Sequence, residues 1–231
     1  SFAAELEFRR AQLALSRGDQ DLAEQIIDTL SQTEDERFAD AGARMLYRRA
    51  ETEWRRLRRG DEAGQATLDA ASRVVRYGGR LVREVVEGEA QEITSAEIVS
   101  LYATVADAAA DIALHANDAS MRERAISLYH RVLDRHPASA AVLRKIALLS
   151  EGAGDDDAAL DAWRELLAGL DAGSPLWLEA KHAQITLLTR IDRDRAIEVM
   201  RQHVVLYPQF GPEPWGDRLR TLADRLGVQA P

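Results

Sequence analysis

The sequence predicts an all-α chain: an α-solenoid of helix-turn-helix repeats with a C-terminal capping helix. Three observations carry that expectation. A motif recurs, in which Ala125-Ile-Ser-Leu-Tyr129-His-Arg-Val-Leu133-Asp-Arg-His-Pro137 returns as Ala196-Ile-Glu-Val-Met200-Arg-Gln-His-Val204-Val-Leu-Tyr-Pro208. Each copy has a small residue, a bulky one four later, an aliphatic four after that and a proline twelve after the start. Between them Ala159-Leu-Asp-Ala-Trp163-Arg-Glu-Leu-Leu167 repeats the first three marks, 34 residues after Ala125. The second observation is apolar residues at steps of three and four, bounded by capping residues and glycine. The third is composition: six prolines in 231 residues, and few β-branched runs.

In chain order, residues 2–16 form a first amphipathic segment with Phe2, Leu6, Leu13 and Ala14 as its apolar positions. Gly18-Asp19 breaks it, and Asp19 caps a second helix whose apolar face is Leu22, Ala23, Ile26, Ile27 and Leu30. Thr33-Glu34-Asp35-Glu36 has capping-box spacing and opens a helix over about 35–59, with Phe38, Leu46, Ala50, Trp54 and Leu57 as its stripe. Gly60-Asp61 ends it, and an Ala/Val-rich helix follows to about residue 77. Tyr77-Gly78-Gly79 reads as the clearest interruption in the chain, with a short helix after it stopped by Gly88.

A second capping box, Thr94 to Glu97, opens a long helix reaching Ala116, and Asn117-Asp118 with Ser120 to Glu123 begins the helix that ends at Pro137. Gly154 then turns the chain between two helices marked by Leu143, Ile146 and Ala147 and by Ala159 and Trp163. Ser174-Pro175 starts another, since proline in the first turn lacks an N–H that would be unpaired anyway. Ile191 stands where the next turn glycine is expected. Gln209 to Gly216 is an extended connector, and 215–226 a last helix with Leu219, Leu222 and Leu226 opposite Arg218, Arg220, Asp224 and Arg225. The expected division is 1–77, N-terminal helix pairs; 78–93, an irregular insertion or hinge; and 94–231, repeats plus the terminal capping helix.

A period near 34 with these marks resembles the tetratricopeptide repeat, most clearly over 106–210. Gly18, Ala23 and Ile27 resemble the turn and second helix of one such unit. The resemblance implies about five stacked helix pairs plus a terminal helix, and an adaptor that holds a peptide or helix in a concave groove. It implies no particular binding residues, because groove positions vary with the ligand.

Composition narrows the functional classes. A net charge of −9 argues against wholesale affinity for nucleic acid or anionic membrane, and absent cysteines exclude disulfides and thiolate metal sites. No apolar run reads as membrane-spanning, so direct membrane insertion is not expected. The chain starts at Ser1 rather than Met and is read as a processed product or an excised piece. A soluble, cytoplasmic protein is the expectation, with the periplasm left open. The 28 arginines against two lysines are read as genomic bias, of a bacterial kind.

No nucleotide loop, nucleophile elbow or metal-ligand spacing appears, so neither an enzyme nor a cofactor is expected. The five histidines read as structural or surface groups, with His136 and His203 near helix C-termini where a cation is mildly favoured. Asp155-Asp156-Asp157 reads as capping at a helix start, and the four tryptophans as packing residues.

One charge feature stands apart. Arg37, Arg44, Arg48, Arg49, Arg55, Arg56, Arg58 and Arg59 are opposed within 37–59 only by Asp40, Glu51 and Glu53. On a helix, Arg44, Arg48, Arg55 and Arg59 fall broadly on one side, away from Leu46, Ala50 and Trp54. A solvated, internally paired face explains them, such as Glu51 with Arg55. A docking strip for an acidic protein or peptide partner explains them as well, because guanidinium forks bind carboxylates in two-pronged fashion. The expected function is therefore a protein-binding scaffold; the other reading is a ligand-sensing or regulatory module of a larger protein, which needs a partly apolar pocket roofed by the helix at 95–116.

Overall fold

A computed structural model describes residues 2–30, 36–60, 64–87 and 94–229, and among these every regular element is an α-helix. The helices are α1 (Phe2–Ser16), α2 (Gln20–Leu30), α3 (Glu36–Arg58), α4 (Gln65–Glu87), α5 (Ser95–Ala116), α6 (Ala119–Leu133), α7 (Ala140–Ala153), α8 (Asp156–Ala168), α9 (Pro175–Ile191), α10 (Arg193–Leu206) and α11 (Trp215–Leu226). They build two compact units, 1–131 and 132–231. The fold is thus the all-α helical-repeat arrangement that the sequence predicts.

In the first unit α1 packs on α2, both meet α3, and α3, α4 and α5 follow side by side. The turn after α1 has Gly18 at φ +83°, a left-handed conformation open to glycine, and the Asp19 carboxylate accepts the Leu22 N–H at 3.2 Å. The face that α1 buries is not the expected one. Ala4, Ala11, Ala14 and Leu15 are inside, whereas Phe2, Leu6 and Leu13 are exposed, Phe2 to 82%. Alanines let helix axes approach closely, so the small residues rather than the bulky ones set this seam. On α2, likewise, Ala23, Ile26, Ile27 and Leu30 are buried and Leu22 lies outside.

The largest departure is at Tyr77-Gly78-Gly79, which lies inside α4 and interrupts nothing. The glycines serve close packing instead. An ideal Cβ on Gly78 would stand 2.4 Å from Val105 Cγ2, and one on Gly79 would stand 2.1 Å from an Arg124 guanidinium nitrogen. The segment expected as a hinge is therefore helical through Glu87, while 88–93, with Gly88, lie outside the described residues. The capping box at Thr33 and the stop at Asp61 also fall outside them.

Thr94 caps α5 as expected. Its hydroxyl accepts the Glu97 N–H at 3.3 Å while its own N–H donates to the Glu97 carboxylate at 2.9 Å. At α6 the cap is Asp118 rather than Ser120: the Asp118 carboxylate accepts the N–H groups of Ser120 and Met121. Contrary to expectation, α5 is long and apolar enough by length and composition to cross a membrane. Alanines and valines make it so, and Leu101, Tyr102, Val105, Ala106, Ala108, Ala109, Ala110 and Ala113 are buried within the unit. Asp107 and Asp111 on the same helix bond Tyr129 of α6 and Trp54 of α3.

In the second unit α7 packs on α8, α8 on α9, α9 on α10, and α11 lies against α9 and α10. Gly154 turns at φ +75°, Asp155 caps α8 through the Ala158 N–H, and Ser174 caps α9 with Pro175 in its first turn. Where a glycine is missing, Asp192 alone links two helices, as the C-cap of one and the N-cap of the next. The terminal helix buries Leu219, Leu222 and Leu226 and exposes Arg218, Arg220, Asp224 and Arg225, as expected.

The motif alanines mark helix seams: Ala125, Ala159 and Ala196 are all fully buried. Ala159→Leu is expected to destabilise the chain by about 1–3 kcal/mol through overpacking against α7 and α9. An unchanged urea midpoint for that variant would detach Ala159 from the seam.

Candidate functional site

The middle and end of α3 and the residue after it present the arginines singled out above. Arg44, Arg48, Arg55 and Arg59 are all exposed, while Leu46, Ala50 and Trp54 are buried on the opposite side. The structure brings Arg44 and Arg48 together at the rim of a cleft of about 250 Å³ between α3, α4 and α5. Tyr47, Leu81 and Leu101 give the cleft its apolar wall, and Ser100 joins them from α5. Arg55 lies outside the cleft, 2.7 Å from Glu51 and donating to the Thr104 hydroxyl at 3.3 Å. Arg59 is exposed beyond the end of α3 and does not line it.

The two carboxylates in the cleft are engaged. Glu51 pairs with Arg55. Glu97 holds the N–H and hydroxyl of Thr94, and these bonds, with Arg48 nearby, keep its carboxyl below the usual range. Arg44 and Arg48 have no ion-pair partner within 4.0 Å among the described residues. Behind the cleft, burial and then the neighbouring Asp40 push the Glu84 carboxyl up, with Arg80 and Arg44 opposing. The Tyr47 hydroxyl is pushed up to about 12 by burial and by Glu51, so it stays a neutral donor.

Arg49 and Arg58 of α3 are less free than the sequence suggests, because their partners come from other helices. Arg58 Nε lies 3.2 Å from Asp111 on α5, and Arg49 donates to the Leu15 carbonyl at 3.2 Å. The charge excess on α3 is thus partly neutralised by Asp107 and Asp111, about 50 positions away on α5. No local pattern could have shown that.

The histidines separate by environment. His115, His130 and His136 are exposed. His203, expected as a mild cation near a helix end, is buried against Trp177, Tyr207 and Phe210. Burial, with Lys181 adding to it, pushes its pKa down against the pull of the Phe210 carbonyl, so the ring stays neutral. Among the described residues no three His, Asp or Glu side chains gather as metal ligands do. Asp155 caps α8, and Asp156 makes a two-pronged pair with Arg190 at 2.8 and 2.5 Å. Trp54 and Trp163 are buried, while Trp177 and Trp215 each carry a cation over the ring, Lys181 at 5.1 Å and Arg218 at 4.5 Å.

No protein-family model matches the chain, and no curated protein matches it. Among solved structures it is similar to a thermophilic TPR protein of Thermus thermophilus, at 17% identity over 97% of this chain and 100% of that one, with a TM-score of 0.43. It is also similar to an assembly chaperone of RpL4, at 14% identity over 94% of this chain and 81% of that one, with a TM-score of 0.41.

Proposed function

We propose that the chain is a non-enzymatic protein-interaction scaffold whose α3–α5 cleft docks an acidic segment of a protein partner. The observation that supports this reading is a pair of exposed guanidinium groups, Arg44 and Arg48, without an ion pair within 4.0 Å among the described residues, one helical turn apart above an apolar wall. Such a pair favours carboxylates, while Tyr47, Leu81 and Leu101 offer surface for an aliphatic or aromatic side chain between them. The partner class is a protein or peptide; a chain of net charge −9 offers no broad attraction to nucleic acid. A ligand-sensing role would need an enclosed pocket beneath α5, and the cleft there is open and small.

The test begins by crosslinking the protein in lysate to identify the partner, then measures that partner's affinity. Arg44 faces the Asp40–Glu84 pair, so a new carboxylate at 44 would itself disturb α4; Arg44→Gln with Arg48→Glu avoids this. The double variant is expected to lose at least ~1 kcal/mol of binding, more at low salt than at moderate salt. Its thermal stability should stay within about 0.5 kcal/mol of the parent, as for other exposed surface changes. Equal affinity of both proteins at both salt concentrations rejects the cleft.

A further inference from the structure

The second unit holds a larger pocket, of about 580 Å³, between α9 and α11 with the start of α10 at its edge. Its lining is basic in an acidic chain. Arg193, Arg218 and Arg225 converge there, with His182 and Thr186 from α9. The only lining carboxylate among the described residues, Asp217, is already paired with Arg220, which does not line the pocket. Arg218 and Arg225 have no carboxylate within 4.0 Å among the described residues, and Arg193 donates only to the Arg225 carbonyl at 3.3 Å. Three guanidinium groups therefore share one cavity in which the one lining carboxylate among the described residues is held by Arg220.

Other groups point the same way. The His182 ring lies 5.7 Å from Trp215, on whose face Arg218 also rests, and its nitrogens have no hydrogen-bond partner among the described residues. Burial and the charges of Arg218 and Arg225 hold its pKa below the usual imidazole range. The Thr186 hydroxyl is buried without a partner among the described residues. The hydroxyls of Thr189 and Thr221 already donate to backbone carbonyls, so N–H donors dominate the pocket.

We propose that this pocket binds the phosphoryl group of a small phosphomonoester, held by Arg193, Arg218 and Arg225 with His182 as a further donor. A dianion with three terminal oxygens answers three guanidinium groups and an imidazole; a carboxylate, with one charge and two oxygens, leaves part of the cluster unmatched. The volume exceeds what a bare phosphate fills and leaves room for a small organic portion against Leu222 and Leu226.

The test follows the histidine ring protons by NMR, with His182 assigned through His182→Gln. Inorganic phosphate and glycerol 2-phosphate are titrated at constant ionic strength, with sodium acetate and sodium chloride as parallel arms. Saturable movement of the His182 signal with either phosphate is expected, together with a rise in its pKa, because the bound dianion offsets Arg218 and Arg225. Exposed His115 and His136 should not move. Arg225→Gln and, separately, Arg218→Ala are expected to weaken binding at least about fivefold, with the His203 signal unchanged as the check that the unit remains folded. Equal response to chloride or acetate, no saturation, or undiminished binding in a folded Arg225→Gln protein would overturn the assignment.

Discussion

Gly78→Ala is expected to destabilise the protein by about 2–3 kcal/mol, although alanine is the better helix former by ~1 kcal/mol. The residue lies mid-helix in α4, where only the neighbours decide the sign. A methyl group there would meet Val105 Cγ2 at 2.4 Å and Tyr47 Cε2 at 3.0 Å. Both neighbours are buried, and neither offers the free end of a long side chain, so α4 has to move away from α5. Gly79→Ala is the matched control. Its first obstacle is the tip of Arg124, which can swing aside at the cost of its hydrogen bond to the Val75 carbonyl, so that variant should stay within about 1 kcal/mol of the parent. Val105→Ala should recover part of the Gly78→Ala loss, since the cavity one makes is filled by the methyl of the other. Urea midpoints of the four proteins decide it: a Gly78→Ala protein as stable as the parent would mean that α4 and α5 are not in such close contact.

Asp111→Ala is expected to cost about 2–3 kcal/mol, and Asp111→Asn about 1 kcal/mol or less. The Asp111 carboxylate accepts the Trp54 indole N–H at 3.0 Å and stands 3.2 Å from Arg58 Nε. Trp54 is buried, so removing its acceptor leaves a donor unsatisfied, and that loss dominates. The Arg58 side chain is 46% exposed and its pairing is screened, so it adds little. Asparagine keeps an acceptor for the indole and drops the buried charge. Burial pushes the Asp111 carboxyl above its ordinary value of 3.8, against the opposing pull of Arg58 and Trp54. The folded chain thus binds that proton more tightly than the unfolded chain does. As pH falls through the folded pKa toward 3.8, wild type should gain on the Asn variant. A constant difference between the two from neutral pH to pH ~4 would show that Asp111 titrates normally.

What the sequence makes legible here is whatever short-range chemistry decides. Gly18 and Gly154 mark turns, Asp19, Thr94, Asp155 and Ser174 cap helices, and the bounds of α11 follow from its leucines and the connector before it. Gly78 and Gly79 look like turn glycines in the sequence, but Tyr47 and Val105, about 30 residues to either side, make Gly78 a packing residue, and Arg124 lies against Gly79. The buried face of α1 was hidden for a related reason. Its bulky residues suggest a stripe, while its alanines make the contact. Of the arginine strip, Arg44 and Arg48 do meet at a cleft, whereas Arg55 is spent on Glu51 and Arg59 stands apart. The basic pocket on α9 and α11 joins residues more than 30 positions apart; the one local hint was Arg218 and Arg225, seven apart on one face of a helix.

The joint at Asp192 bears on how such a chain can change length. Between α7 and α8 the turn has two residues, Gly154 and Asp155; between α9 and α10 it has one. Yet the motif spacing grows from 34 residues, Ala125 to Ala159, to 37, Ala159 to Ala196. The surplus has gone into the helix, since α9 has 17 residues against 14 in α7. Three residues are close to one turn of ~3.6, so the longer helix can bring nearly the same face back to its neighbour. Growth by about a whole turn leaves the stacking frame readable, whereas one or two added residues would rotate every later side chain out of step. A spacing of 37 is therefore about one helical turn away from 34, the step that keeps a neighbour's face in register.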